Sequence, residues 1–343
     1  MFSDVGGSSE GTMPGESTMS VDVAGRWVAA TAALRAPAAA FVETLGQLAA
    51  SDPRVVVLTG DQATESRLAP FVKAHGDRFH NLGSAERNLI GVAAGMAAAG
   101  KVPFVVTSGV AASLTAGDIL RTTVARSKLH VIVAAYPAGI EGSAGGVRHA
   151  LEDLAALICI PGLRVVVPAD AVQTVQATRA LLAAPGPAYL RLVGRETPVI
   201  IDETTPFELG SALTLREGKA MTLVATGALT AEAMQAAELL EGQGVAVQVL
   251  NVHTLKPLDV PAIRRAARET GGLVVAEEHY GRGGLGAAVA QELARSHPVP
   301  IEFVAVEDTF VTGCMPDHLS PALGLKAAAI VKAAERLRER LRR

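Results

Sequence analysis

Short runs rich in valine and isoleucine alternate with alanine-rich helical patterns along almost the whole chain, and this alternation limits the fold more than any single motif does. "RVVVLTGD" (54–61), "PFVVTS" (103–108), "LHVIVAAY" (129–136) and "LRVVVPAD" (163–170) carry near-continuous apolar runs rather than a strict alternation. Strands buried on both faces read this way. Between them, "AERNLIGVAAGMAAAG" (85–100) and "ALEDLAALICI" (150–160) show helical spacing. Strand, helix and strand in this order predict an open parallel sheet with helices on both faces. The pattern lapses over 196–220, "ETPVIIDETTPFELGSALTLREGKA", which reads as a linker. It resumes with "MTLVATG" (221–227), "VAVQVLNV" (245–252), "GGLVVAEE" (271–278) and "PIEFVAVED" (300–308). The expectation is an α/β chain with two consecutive open, mostly parallel sheets, over 30–195 and 221–343. Residues 1–25, rich in Gly, Ser and Met, read as a disordered tail without the basic and apolar regions of a signal peptide.

Composition removes several function classes. Hydrophobic residues make up 49% of the 343 but aromatics only 3%, so the cores must be built from Ala, Val and Leu. The net charge is -3 and no basic block precedes the last dozen residues, which argues against a nucleic-acid partner. The longest apolar stretches are strand-length or interrupted by Gly, Ser and Pro, so no membrane span is expected. Cys159 and Cys314, the only cysteines, lack metal-ligand spacing. A cytoplasmic protein acting on a small molecule is the expectation.

One motif points elsewhere. "EEHYGRGGLG" (277–286) contains Gly281-x-Gly283-x-x-Gly286, the spacing that seats a dinucleotide pyrophosphate on a helix N-terminus, and Glu307 lies where a ribose-binding acid would be. Such a fingerprint normally follows the first strand of its domain, whereas this one follows the third. Glu277 and Glu278 would also repel a pyrophosphate. The glycines are expected to provide a tight turn and a close helix–sheet approach, with a nicotinamide oxidoreductase as a distant alternative.

Several ordered blocks resemble one family. "TLKPLD" (254–259), "EEH" (277–279), "GGLG" (283–286) and "VEDTFVTGCMP" (306–316) are similar, in order, to the C-terminal domain of transketolases. "GSAERNLIGVAAGMAAAGKVPF" (83–104) and "HALEDLAALICIPGLRVVVPAD" (149–170) resemble that family's pyrimidine-binding domain. The resemblance runs from about Leu34 onward, but G-D-G, the mark of the diphosphate-binding domain, does not occur. It therefore implies the C-terminal subunit of a split transketolase, working with an N-terminal subunit that carries the diphosphate domain. It implies thiamine diphosphate and Mg²⁺, with diphosphate and metal held mainly by that partner, and a homodimer core within an α2β2 assembly. The activity implied is transfer of a two-carbon ketol unit from a ketose-type donor to an aldehyde acceptor. The β subunit of a 2-oxoacid dehydrogenase and a non-catalytic regulatory subunit are the alternatives.

The resemblance also implies roles for individual residues. Glu86 would hydrogen-bond the aminopyrimidine; read locally, it is an acid stabilising a helix N-terminus. Asp61 would lie near the thiazolium or else cap a helix, and Arg35, Ser66 and Arg195 would contact substrate phosphate or else be surface groups. His149 would assist proton transfers on the substrate, although gapless alignment puts Arg148 at the main family position. Ser108 and Ala111 stand where the family has phenylalanines against the pyrimidine, a loss for which Phe104 or Tyr136 would have to compensate. "GSAGG" (142–146) replaces an acidic stretch that would contact a ketose hydroxyl, and His279 reads as a structural loop histidine.

Overall fold

The computed structural model describes residues 32–61, 68–141, 146–312 and 315–342. The expected tail, Ser66 and Cys314 lie outside the described residues. In the first half, the strands are β1 (Leu34–Arg35), β2 (Val55–Thr59), β3 (Phe79–Asn81), β4 (Val102–Thr107), β5 (Ile132–Ala135), β6 (Arg164–Val166), β7 (Ala188–Arg191) and β8 (Thr197–Pro198). In the second half, they are β9 (Leu213–Arg216), β10 (Thr222–Ala225), β11 (Gln248–Asn251), β12 (Thr254–Lys256), β13 (Leu273–Tyr280) and β14 (Ile301–Val306).

Two sheets dominate, as the alternation requires. The first has the order β12-β6-β7-β5-β4-β2-β3 and the second β14-β13-β10-β11-β9. Every neighbouring pair is parallel except β12 with β6 and β9 with β11, both antiparallel edges. Side-chain parity divides the first sheet into its two faces. Val55, Val57, Val102, Phe104 and Val106 pack with Phe41 and Leu45 of the helix Pro37–Ser51. Val56, Leu58, Val105 and Val133 pack with Leu89, Ile90 and Ala93 of the helix Glu86–Ala98. This second core continues without a break into the other domain, through Val224, Leu250, Val275 and Val289.

The 196–220 segment is more structured than its composition suggests. It contributes β8, paired with β1, and β9 at the edge of the second sheet. Two helix-capping aspartates hold its ends. Asp170 accepts the Gln173 amide at 2.8 Å through Oδ1 and the Ile200 and Ile201 amides at 2.7 and 2.8 Å through Oδ2. Asp259 accepts the Ala262 amide at 2.9 Å and the Ala212 amide at 2.8 Å. Each carboxylate satisfies an orphan donor of its own helix while fixing distant backbone. A strand of the second half also leaves its own domain: β12 extends the first sheet, and its Lys256 ammonium donates to the Ile158 carbonyl at 2.7 Å.

Candidate active site

Strand order locates the site. After β2 the chain moves outward to β3, whereas after β4 it moves to β5 on the other side. The carboxyl ends of β2 and β4 thus border a topological switch point, where open α/β sheets bind ligands. A cavity of about 410 Å³ lies there, lined by Gly60, Asp61, Ser84, Glu86, Ser108, Val110, Ala111, Thr115, Val147 and Arg148. A larger one, about 690 Å³, sits at the amino ends of the same strands around Pro53, Arg78 and Lys101. Convergence of strand ends rather than size singles out the smaller cavity.

Each wall has a local cause. Asp61 ends the turn after β2 in a left-handed conformation, φ 64°, uncommon for a non-glycine residue. Its amide donates to Asn81 Oδ1 at 2.9 Å, and the same oxygen accepts the Gly83 amide at 3.0 Å. Asn81 therefore ties the turn after β2 to the loop that leads into Glu86. Glu86 is the first residue of its helix, half-buried, and its carboxyl makes no hydrogen bond or ion pair with any described residue. The helix N-terminus beside it favours negative charge. Ser108 is buried and accepts the Ala111 amide at 3.2 Å, starting a π-helical turn over Ala111–Thr115. Such turns recur at functional sites because the extra residue redirects side chains.

The structure gathers Asp61, Glu86, Ser108, Ala111 and Arg148 around this cavity, while Phe104, His149, Arg35 and Arg195 are not among its described walls. Phe104 points to the opposite face of the sheet, 6.2 Å from the Phe41 ring, so it offers the cavity no aromatic surface. Tyr136 also packs with that opposite core and lies against Gly194, where a Cβ would come within 1.9 Å of its ring. No aromatic residue is among the described cavity walls. His149 is buried beside the cavity-lining Arg148 and does not line the cavity itself. Arg35 pairs with Glu43 at 3.0 Å and borders a separate groove with Arg179. Arg195 is engaged by Glu141 at 2.8 Å and Glu278 at 3.4 Å. Ser66 and residues 142–145 of the "GSAGG" stretch lie outside the described residues.

Sequence reasoning misses a buried polar seam between the two domains. Arg191 donates to Asp153 at 2.8 Å and to the carbonyls of Ala150 and Glu278 at 2.9 and 3.0 Å. Tyr189 donates its hydroxyl to the same Asp153 oxygen at 2.6 Å. Burial works against the Arg191 charge, but Asp153 and Glu278 more than offset it and hold the guanidinium firmly protonated. Burial also pushes the Glu141 carboxyl above its ordinary value, with Arg195 pulling it back only in part. The seam leaves one visible trace in the sequence: charged residues inside otherwise apolar runs, at Arg191 and Glu277–Glu278.

The glycine-rich turn has a structural role of its own. Glu277 accepts the Leu285 and Gly286 amides at 2.7 and 2.8 Å, occupying the N-terminus of the helix Leu285–Ser296 where a pyrophosphate would have to sit. A Cβ on Gly284 would lie 1.9 Å from the Glu277 carboxylate, and one on Gly283, at φ 84°, would lie 2.5 Å from the Ala155 methyl. His279, on β13 rather than in a loop, is fully buried. Its Nε2 accepts the Ala155 amide at 3.2 Å, and its Nδ1 lies 2.7 Å from the Tyr280 carbonyl as donor. Among the described residues, no cluster of three His, Cys, Asp or Glu side chains could hold a metal, and no helix is long and apolar enough to cross a membrane.

Comparisons with known proteins agree with this fold. The family model of the transketolase pyrimidine-binding domain matches residues 35–198, and that of the transketolase C-terminal domain matches residues 210–330. The chain is 40% identical to the 6-deoxy-6-sulfo-D-fructose transketolase subunit SqwH of Clostridium sp. (strain MSTE9), over 88% of this chain and 94% of that protein. It is 35% identical to an apulose-4-phosphate transketolase subunit of Phocaeicola vulgatus, over 86% of this chain and 95% of that one. A solved split gene transketolase, described as an inactive β4 tetramer, superposes with a TM-score of 0.82 at 38% identity, covering 89% of this chain and 98% of that one. Transketolase from Campylobacter jejuni shares the fold, with a TM-score of 0.72 at 18% identity over 46% of its own length.

Proposed function

The chain belongs to the transketolase family and carries its pyrimidine-binding and C-terminal domains, and from this premise we propose that it is one half of a two-component ketol transferase. The other half would be an N-terminal subunit that supplies the diphosphate-binding domain and holds the diphosphate and Mg²⁺, in an α2β2 assembly around a dimer of this chain. Near-complete coverage of separately named transketolase subunits supports the split arrangement. The observation that carries the catalytic reading is the half-buried Glu86 carboxyl at the switch point, without a described partner.

The residues fit one edge of thiamine diphosphate better than its faces. Glu86 offers an acid to the aminopyrimidine, and Ser108, Ala111 and Gly60 leave room beside it. The missing aromatic surface removes apolar contact worth about 1–3 kcal/mol per side chain. When bound, the cofactor supplies a carbon nucleophile at its thiazolium C2. Glu86 would hold a proton between its carboxyl and the pyrimidine ring. Asp61 would place negative charge near the thiazolium, and Arg148 would bind the polar end of the sugar. His149, which would assist proton transfers on the substrate, is buried and not among the described cavity walls, so that role would need the substrate or the loop to reach it.

Reconstitution tests this reading. The purified chain with thiamine diphosphate and Mg²⁺ should show no ketol transfer, and addition of the diphosphate-domain subunit should restore it. Turnover by the chain alone would refute the two-component assignment. A complex that assembles but does not transfer would favour a regulatory subunit.

A further inference from the structure

We propose that Glu278, contributed by the second domain, is a positioning residue that sets Arg148 at the cavity wall, its carboxylate holding the Ile140 amide while its main-chain carbonyl meets Arg191 on the Ala150 side. The inference rests on the transketolase reading of that cavity. None of the described cavity walls comes from the second domain, since the last of them is Arg148. The second domain therefore acts on the site through contacts outside the cavity, and those contacts converge on the stretch that carries Arg148.

Gly139 and Ala150 form an antiparallel bridge, with the Ala150 amide donating to the Gly139 carbonyl at 2.9 Å. Arg148 lies two residues before Ala150, so its backbone is anchored close to this base. Glu278 Oε1 accepts the Ile140 amide at 3.2 Å on one side of the bridge. On the other side, Arg191 joins the Ala150 carbonyl to the Glu278 carbonyl, and the Tyr280 amide donates to the Leu151 carbonyl at 2.9 Å. Glu278 Oε2 reaches Arg195, which also binds Glu141 next to Ile140. Closeness at the bridge is part of the design: at Gly139, φ 61°, a Cβ would fall 1.8 Å from Glu278 Oε1. The contact is dry, because Glu278 and Glu141 keep only 4% and 5% of their side-chain surface. A carboxylate so enclosed cannot pass its bonds to water when the bridge shifts, so the base has one favoured geometry.

Two measurements test this. In hydrogen–deuterium exchange on the full chain, Glu278→Ala should speed exchange at the Ile140 and Ala150 amides by about 10-fold, leaving β10 and β11 unchanged. In the reconstituted complex, the same variant should raise the donor KM about 10-fold with kcat within about 3-fold, the pattern of lost substrate binding rather than lost chemistry. Glu278→Gln, which can still accept the Ile140 amide, should fall between the two. Because Glu278 acts through Arg148, adding Glu278→Ala to Arg148→Ala should change KM by less than about 2-fold. Unchanged exchange at Ile140 would overturn the clamp. Effects that multiply in the double variant would overturn the route through Arg148. A wild-type complex without ketol transfer would sink the transketolase reading and the substrate half of this proposal together, leaving exchange to decide the clamp alone.

Discussion

The switch-point cavity and the seam between the domains hold the same chemical groups in opposite states. In the seam, Asp153, Glu141, Glu277 and Glu278 are all bound to guanidinium groups or backbone amides. In the cavity, Glu86 has no described partner although it sits at a helix start that favours its charge. A buried carboxylate that already has its bonds is fixed and holds structure together. One that lacks them is available to a ligand. The contrast is one of degree, since Asp153 Oδ1 is itself buried without a hydrogen bond among the described residues, and it yields predictions of graded size.

The largest effect should fall on the cavity. Glu86→Gln keeps size and hydrogen-bonding shape but not the ionisable acid. Proton exchange at C2 of thiamine diphosphate in the reconstituted complex should drop by roughly 10²–10⁴-fold, with assembly intact. Exchange within a few-fold of wild type would mean that Glu86 only stabilises its helix. In the seam, Asp153→Ala should instead cost stability, about 3–5 kcal/mol by denaturant unfolding, because it strands the buried Arg191 charge. A loss of under about 1 kcal/mol would show that the seam reorganises.

An acid-sensitive contribution should come from His253, buried and stacked on Phe207 at 4.3 Å, where burial pushes its pKa down to about 4 from 6.5. The folded state holds this ring neutral while the unfolded chain protonates it. The stabilisation is therefore complete above pH 6.5 and is lost as pH falls toward about 4. The full effect is roughly 3 kcal/mol. His253→Phe keeps a ring on Phe207 and should flatten this slope; an unchanged melting profile between the two pH values would remove His253 from the account.

The smallest effects compare two neighbouring glycines. Gly284→Ala should cost about 2–3 kcal/mol, since its Cβ collides with the carboxylate that caps the helix. Gly286→Ala, although inside the fingerprint spacing, should cost about 1 kcal/mol or less. There the Cβ meets the 45% exposed Phe303 ring at 2.8 Å and the Glu277 carboxylate only at 3.2 Å, a far milder approach than the 1.9 Å at Gly284. Neither variant should create or abolish nicotinamide binding. The reverse order of stabilities would mean that the turn is built around Gly286 after all.

These contrasts mark what can be read from the sequence. Apolar runs locate the strands because burial on both faces leaves no polar positions, and the blocks around Glu86 place that residue at a helix start. The same burial hides which way a strand residue faces. All six residues of β4 are buried, so nothing in "VPFVVT" reveals that Phe104 turns away from the cavity. Asn81, which joins the two turns beside Glu86, gives no signal because an asparagine at the end of a short strand reads as an ordinary turn residue. Arg195 reads as a cation for substrate phosphate, and its engagement by Glu141 and Glu278, 54 and 83 residues away in the chain, follows only from tertiary contact.

The excursion of β12 bears on how such a chain could be divided. A break in the 196–220 stretch would leave β6 with an unpaired edge, while the strand that covers it stayed with the other fragment. It would also part a core that runs unbroken from Val56 to Leu293. Exposed backbone donors and acceptors on such an edge invite pairing with other chains. The two halves are stitched rather than joined end to end, by a strand and by a core that both of them share.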